Sequence, residues 1–296
     1  MTKSAKSHMS DTQTAKQKER TESDKSDVLK QAIARIEKSF GRGSVMLLAE
    51  EAPIENVEVV SSGIAALDRA SHIGGFPRGR IVEIFGLESS GKTSIALSLA
   101  AQVQKQGGVV AFVDAEHALD LNWAKKLGVV VGPRFVFSQP DSAEQALSIV
   151  SALLESSAVD LVIVDSVAAL VPQAEIDGEV GEFSVGLQAR LMSQAMRKLS
   201  ALVSKTKAIV VFINQIRQKI GVFYGPQETT TGGNALKYYA SMRLEVKRVS
   251  LKVQDSGAKK SPVGAVIQAK FVKNKIAPPF GQCEILLDFS RGFVDK

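Results

Sequence analysis

Residues 81–93 read Ile-Val-Glu-Ile-Phe-Gly-Leu-Glu-Ser-Ser-Gly-Lys-Thr, and the reading of this stretch decides the fold. Its last eight residues, Gly86, Leu87, Glu88, Ser89, Ser90, Gly91, Lys92 and Thr93, fit the pattern G-x-x-x-x-G-K-[ST]. The five residues before them are apolar and β-branched enough for a buried strand. Ile95, Leu97, Leu99, Ala100 and Val103 follow among polar residues as a helix would place them. Glycines let the backbone close around phosphate oxygens, while successive N–H groups and the helix N-terminus supply positive potential. In this pattern Lys92 reaches the β- and γ-phosphates and the Thr93 hydroxyl ligates Mg²⁺. A Gly-rich turn that merely opens a helix is the plainer alternative, but strand before and helix after argue against it. The expectation is a nucleoside triphosphate site.

With 296 residues, 45% apolar and 23% charged, the chain can bury one large core or two modest ones. A single cysteine, Cys283, excludes a disulfide framework, and His8, His72 and His117 lack the spacing of zinc ligands. The first residues lack an apolar core of signal-peptide length, and no run of 18 apolar residues occurs. These features predict a soluble, cytoplasmic protein with no membrane partner. The net charge of +6 is uneven: residues 237–296 hold 12 Lys and Arg against 5 Asp and Glu. A basic C-terminal segment suggests an anionic partner such as nucleic acid, with a merely solvated basic face as the alternative.

Three zones follow along the chain. Residues 1–27 are polar and charged and read as a disordered arm. From Asp27, a plausible N-cap, Val28, Leu29, Ala32, Ile33, Ile36 and Phe40 form one helical stripe ending at Gly41. This helix and its linker, 28–56, need a partner surface on the chain's own core or on a neighbouring subunit. Residues 57–296 form the core, in which strands at 81–85, 109–113, 134–137, 160–165, 208–213 and 242–248 alternate with helices near 92–106, 120–127, 142–155 and 187–204. That alternation predicts an α/β fold, a doubly wound, mostly parallel twisted sheet flanked by helices. Ligands in such sheets sit beyond the C-terminal strand ends.

Polar residues cluster at those ends. Asp114 and Glu116 follow the second strand, Asp165 and Ser166 the fourth, and Asn214 and Gln215 the fifth. A carboxylate closing an apolar strand suits a Mg²⁺-organising role beside a phosphate loop. Glu116 is placed to accept a proton from an attacking water, and Gln215 to bond the γ-phosphate. Each alone reads more readily as a helix cap or turn former, but their clustering in one chain argues for a site.

The motifs Gly-Leu-Glu-Ser-Ser-Gly-Lys-Thr, Asp-Ala-Glu-His-Ala-Leu-Asp (114–120), Val-Asp-Ser-Val-Ala-Ala-Leu (164–170), Phe-Ile-Asn-Gln-Ile-Arg (212–217), Glu-Thr-Thr-Thr-Gly-Gly-Asn-Ala-Leu-Lys (228–237) and Val-Lys-Asn-Lys-Ile-Ala (272–277) resemble the bacterial RecA recombinases, from about residue 28 to about 290. The resemblance implies a RecA-type ATPase core using ATP and Mg²⁺. It implies helical filaments of self-associated subunits on single-stranded DNA, pairing with double-stranded DNA and strand exchange in DNA repair. Promotion of LexA repressor self-cleavage in the SOS response is a further implication. By resemblance, Lys92 and Thr93 hold phosphates and Mg²⁺, Asp165 anchors the metal shell, and Glu116 activates water. Asp120 and Trp123 face adenine, and Gln215 senses the γ-phosphate. Lys273 and Lys275 reach a neighbour's ATP across the filament interface, as an arginine finger does. The helix from 28 to 40 then docks on the next protomer.

Two Gly-bearing segments, 176–186 and about 217–233, suit sequence-independent contact with DNA phosphates. Arg190, Ser193, Arg197, Arg217, Lys219, Thr231, Gly232, Gly233 and Asn234 match the family's strand-contacting positions, and Ile220 matches an apolar wedge between base triplets. The chain departs from the family at several places. Trp123 stands for Tyr and Val185 for Met, Tyr238 replaces a Phe, and Ser71-His72 replaces Leu-Gly. Pro226 is shifted by one residue in the second loop, where proline restricts its own φ and its predecessor. The sequence stops at Lys296, where relatives continue into a small C-terminal domain, so that domain is expected to be absent. The expected function is a DNA-dependent ATPase and recombinase. The alternative is a shortened paralogue that coats DNA with little turnover.

Overall fold

The computed structural model describes residues 25–42, 44–45, 57–179, 186–218, 228–255 and 260–294. The chain divides into two compact units, Met1–Asn56 and Val57–Lys296. In the first, helix α1 spans 25–40 and ends where the Gly41 N–H donates to the Glu37 carbonyl at 2.9 Å. The helix is already running at Asp27, which therefore does not cap it; its carboxylate lies 3.5 Å from the Lys30 ammonium within the first turn. Of the expected apolar stripe, Ile33 and Ile36 are half-buried, whereas Val28 and Phe40 are 67% and 79% exposed.

The second unit opens with β1 (Val59–Val60), α2 (Ala65–Ala70) and β2 (Phe76–Pro77), with β1 and β2 paired antiparallel. Then come β3 (Ile81–Gly86), α3 (Lys92–Lys105), β4 (Val110–Asp114), α4 (Leu121–Lys126), β5 (Phe135–Ser138), α5 (Ala143–Glu155) and β6 (Leu161–Asp165). A 3-10 turn, Val167–Ala169, leads to α6 (Gln173–Ile176), α7 (Leu187–Thr206), β7 (Ile209–Gln218), β8 (Glu228–Thr230) and α8 (Ala235–Tyr239). The unit ends with β9 (Met242–Asp255), β10 (Lys260–Asn274), β11 (Gln282–Asp288) and β12 (Gly292–Val294). The main sheet runs β12-β11-β10-β9-β3-β7-β6-β4-β5, with β8 paired to β7 alone. From β9 to β5 every pairing is parallel; from β9 to β12 every pairing is antiparallel. The expected doubly wound sheet is present, extended by an antiparallel meander that the sequence reading did not resolve.

Burial explains both halves. β3, β4 and β6 are buried along their whole length, as strands covered on both faces must be. Val82, Ile84, Phe112, Ile163 and Val211 face one cluster with α3, while Val113, Val164, Val210 and Phe212 face a second with α5 and α7. In the meander only alternate residues are buried: Met242, Leu244 and Val246 on β9, and Ala265, Ile267, Ala269 and Phe271 on β10. Among the described residues, no helix is long and apolar enough to cross a membrane.

Phe212 is fully buried in β7 between the strand carrying the phosphate loop and the strand ending in Asp165. Phe212→Ala is expected to cost about 3–5 kcal/mol of stability, the usual range for a truncated core phenylalanine. Equilibrium denaturant unfolding checks this.

Candidate nucleotide and nucleic-acid site

Strand register gathers the predicted residues. Gly86, the last residue of β3, pairs with Gln215 on β7 and Val246 on β9, and Asp114 pairs with Asp165 across β4 and β6. The phosphate loop thus leaves the sheet beside Asp114, Asp165 and Gln215. Gly91 caps α3 at φ +96°, a left-handed conformation, and a Cβ there would lie 2.5 Å from Ile267 Cδ1. Leu87, Glu88 and Ser89 are exposed, while Ser90 is buried and its hydroxyl has no hydrogen-bond partner. Lys92 Nζ donates to the Gly86 and Leu87 carbonyls at 3.2 and 2.7 Å. Burial lowers its pKa, opposed by the charges of Asp165, Glu116 and Glu88.

Thr93 Oγ1 donates to Asp165 Oδ2 at 2.7 Å. Burial pushes the Asp165 carboxyl up to about 6; Glu116 and Asp114 push the same way, while the Thr93 bond and Lys92 oppose them. Glu116 sits in the 114–120 loop, whose course is set by two anchors. The Ala115 and Glu116 N–H groups donate to the Asp165 carbonyl at 2.7 and 3.2 Å. The buried Asp114 carboxylate accepts from the Ala118 and Leu119 N–H groups and from Gln139 Nε2, each at 3.2 Å. The Glu116 carboxylate accepts from Gln215 Nε2 at 3.0 Å and from the Ser166 hydroxyl. Asp120 caps α4, accepting from the Asn122 and Trp123 N–H groups at 2.8 and 3.1 Å, and the Trp123 indole N–H donates to Ser94 at the start of α3. The structure therefore brings Glu116, Gln215, Thr93 and Asp165 together and ties Trp123 to the same helix N-terminus.

The residues fit ATP and Mg²⁺. The loop glycines, the unpartnered Ser90 hydroxyl and the Lys92 ammonium offer donors to phosphate oxygens, and Thr93 with Asp165 offers two adjacent oxygens to a hard cation that keeps water and phosphate ligands. Among the described residues, no three or more His, Cys, Asp or Glu side chains are grouped to hold a metal ion.

Lys273 and Lys275 lie elsewhere. Lys273 Nζ donates to the Lys237 and Tyr238 carbonyls at 2.6 and 3.0 Å, and Lys275 Nζ to Tyr238 at 3.1 Å. Asn274 between them pairs with Met242, which pairs with Val82. Val82 is about 13 Å along β3 from Gly86, at the opposite end of the strand.

Of the predicted DNA contacts, Arg190 and Arg197 are exposed on α7 with Ser193 half-buried beside them, away from the buried Met192, Met196, Leu199 and Val203. Arg217 is exposed near the end of β7, and Asn234 is exposed before α8. Thr231 Oγ1 donates to Asn214 Oδ1 at 2.5 Å, while Gly232 and Gly233 pack on Val167 and Ala189. Lys219, Ile220, Val185 and Phe223 to Gln227 lie outside the described residues, as does most of the first loop. Sequence reasoning missed Glu83 and Arg243. The Asn214 amide donates to Glu83 Oε1 at 2.9 Å and Arg243 Nε donates to Glu83 Oε2 at 2.5 Å. A carboxylate inside the apolar run of β3 was the signal.

The profile of the RecA N-terminal domain matches residues 27–294. The chain belongs to the RecA family. It is 55% identical to Protein RecA of Thermotoga neapolitana over 275 residues, 93% of this chain and 77% of that protein. It is 57% identical to Protein RecA 1 of Myxococcus xanthus over 261 residues, 88% of this chain and 75% of that one. The crystal structure of the RadB recombinase is similar in fold, with a TM-score of 0.59 at 20% identity, over 80% of this chain and all of that one. Membership at this identity makes the chain a RecA-type recombinase, and the reading as a coat with little turnover is not favoured.

Asp120 has a structural duty distinct from any contact with a base. Asp120→Ala is expected to lower stability by about 1 kcal/mol, while Asp120→Asn, which keeps an acceptor for the two N–H groups, stays within a few tenths. Thermal unfolding without nucleotide checks the pair.

Proposed function

We propose that this RecA-family chain is a DNA-dependent ATPase that assembles into filaments on single-stranded DNA and pairs that strand with a homologous duplex. The observation that carries the reading is the bond from Gln215 to the Glu116 carboxylate beside the Thr93–Asp165 pair. Gln215 lies on β7, the strand that leads into the second DNA segment. A contact on that segment therefore has a direct mechanical route to the group placed to activate water.

In this reading the phosphate-loop N–H groups and Lys92 hold the β- and γ-phosphates, Thr93 and Asp165 hold Mg²⁺, and Trp123 flanks the adenine with Asp120. When bound there, Mg²⁺ would neutralise charge that develops on the phosphates. Glu116 accepts the proton of the attacking water. Gln215 and Ser166 both donate to its Oε1, which leaves Oε2 to take that proton while Gln215 stays beside the γ-phosphate position. Lys273 and Lys275 face away from their own phosphate loop along β3, which supports their action on the ATP of an adjoining protomer. Residues 28–56 serve as the docking arm for that neighbour, and residues 57–296 carry ATPase and DNA contacts. Arg190, Arg197 and Arg217 with the Thr231–Asn234 turn contact phosphates, so binding is indifferent to sequence and weakens steeply with salt.

The deciding experiment is ATP hydrolysis with and without single-stranded DNA for the wild type and Glu116→Gln. Strong stimulation in the wild type and a loss of about 10²–10⁴ in the variant, the usual worth of a general base, are expected. Equal turnover in the two would remove Glu116 from catalysis, and DNA binding without stimulation would favour a coating role.

A second prediction concerns pH. Burial, with Lys275 and Arg243 nearby, lowers the Lys273 pKa to about 8, against a partial offset from Glu83. Its positive charge is present below that value and lost above it. In DNA-stimulated hydrolysis, kcat/KM should fall as pH rises through about 8. Lys273→Arg, charged throughout, should shift that alkaline limb upward. An unchanged pH profile in the variant would exclude Lys273 as its source.

A further inference from the structure

Glu83 is fully buried at the middle of β3, between Val82 and Ile84, in the strand that carries the phosphate loop. A buried carboxylate costs several kcal/mol of desolvation unless it is paired and hydrogen-bonded, and an apolar residue would fill the same space without that cost. Its two oxygens go to two different strands. Oε1 accepts from Asn214 on β7, and Oε2 accepts from Arg243 on β9.

Each partner leads onward. Asn214 Oδ1 accepts from the Gln215 N–H at 2.9 Å and from Thr231 Oγ1, and its amide also donates to the Thr231 carbonyl at 3.1 Å. Glu83 is thus one residue from Gln215 and in direct line with the Thr231–Gly233 turn. On the other side, Arg243 lies over the Phe85 ring at 4.5 Å and pairs across the sheet with Lys273. Lys273 in turn holds the Lys237 and Tyr238 carbonyls at the end of α8. Lys237 closes the circuit by donating to Thr229 Oγ1 at 2.7 Å, on β8 within that same DNA segment.

We infer that Glu83 is a positioning residue that couples the Gln215 and Thr231 end of one protomer's ATP site to the lysines the same protomer presents to its neighbour. The inference rests on the proposed action of Lys273 and Lys275 on a neighbouring ATP. Glu83 touches no reacting atom. It holds Arg243 neutralised beside Lys273, so that the two cations can stand together, and it fixes the Asn214 amide so that Gln215 keeps its place. A shift of Asn214 on DNA contact moves one oxygen's partner and, through the shared carboxylate, the other's. The carboxylate is needed for this because a glutamine offers one acceptor where two donors converge.

The test is a double-mutant cycle between Glu83→Gln and Lys273→Met, read as kcat and KM for DNA-stimulated ATP hydrolysis. Glu83→Gln alone should lower kcat about tenfold with KM within about twofold, in the range of ordinary coupling energies. In the Lys273→Met background the same change should cost less than about twofold, because the element it acts through is gone. Equal losses in both backgrounds would show that Glu83 acts on stability or on its own ATP site, and would overturn the coupling. Lys273→Met with unaltered turnover would instead defeat the inter-protomer role itself, and the coupling with it. Should Glu83→Gln fail to fold because Arg243 is left unpaired, Glu83→Gln combined with Arg243→Gln restores a neutral hydrogen-bonded pair. That variant should fold and still show the reduced kcat; full stimulation in it would overturn the inference.

Discussion

The pairing of Gly86 with Gln215 across β3 and β7, and of Asp114 with Asp165 across β4 and β6, fixes where the polar strand ends meet. A slip of one residue in either pairing would turn every side chain to the opposite face. In most sheets the hydrophobic pattern prevents that slip, because one face must be apolar. Here it prevents little: β3, β4 and β6 are buried on both faces, and Val, Ile and Phe occupy either. The polar residues inside the strands supply the missing discrimination. Glu83 meets both Asn214 and Arg243 in the observed register, and a slip of β3 against either neighbour takes one partner from a buried carboxylate.

The same logic governs the phosphate loop. Lys92 and Asp165 are both buried enough that charge is disfavoured on each, with the lysine pKa lowered and the carboxyl raised to about 6. The chain satisfies them internally, Lys92 on two loop carbonyls and Asp165 on the Thr93 hydroxyl. These contacts hold the groups that phosphate and Mg²⁺ require in place, so a ligand exchanges partners and does not have to order them. Desolvated charges aimed at a common point strengthen each interaction they make with a phosphoryl group. Folding supplies most of the site's reorganisation cost in advance.

Much of this was legible in the sequence, and the reasons are specific. The continuous apolar runs of β3, β4 and β6 are the signature of strands buried on both faces, and each ends in a residue that breaks the run. That break exposed Asp114 and Asp165; the apolar run of β7 breaks at Asn214 and Gln215 too, although that strand continues to Gln218 and was expected to end at 213. The antiparallel meander was obscure because Arg243, Lys247 and Lys270 flank its core residues and Lys252 and Lys273 lie further along it, and their charge reads as a surface before it reads as strands. The N-cap role of Asp120 was available from its place before α4 but was overshadowed by its motif. The Glu83 hub was illegible in detail: its partners lie 131 and 160 residues away, and only a folded sheet brings them within a hydrogen bond.

The placement of the two lysines carries the reading beyond one subunit. They stand at the start of β3's course while the phosphate loop stands at its finish, and the proposed action on a neighbour's ATP would make each end half of a site. If adjoining copies complete each site, ATP binding and assembly are the same equilibrium seen from two sides. Linkage then requires that assembly tighten ATP by the same factor by which ATP strengthens assembly. In the proposed coupling Glu83, bonded to the strands on both sides of β3, lets DNA at one segment bias both halves at once.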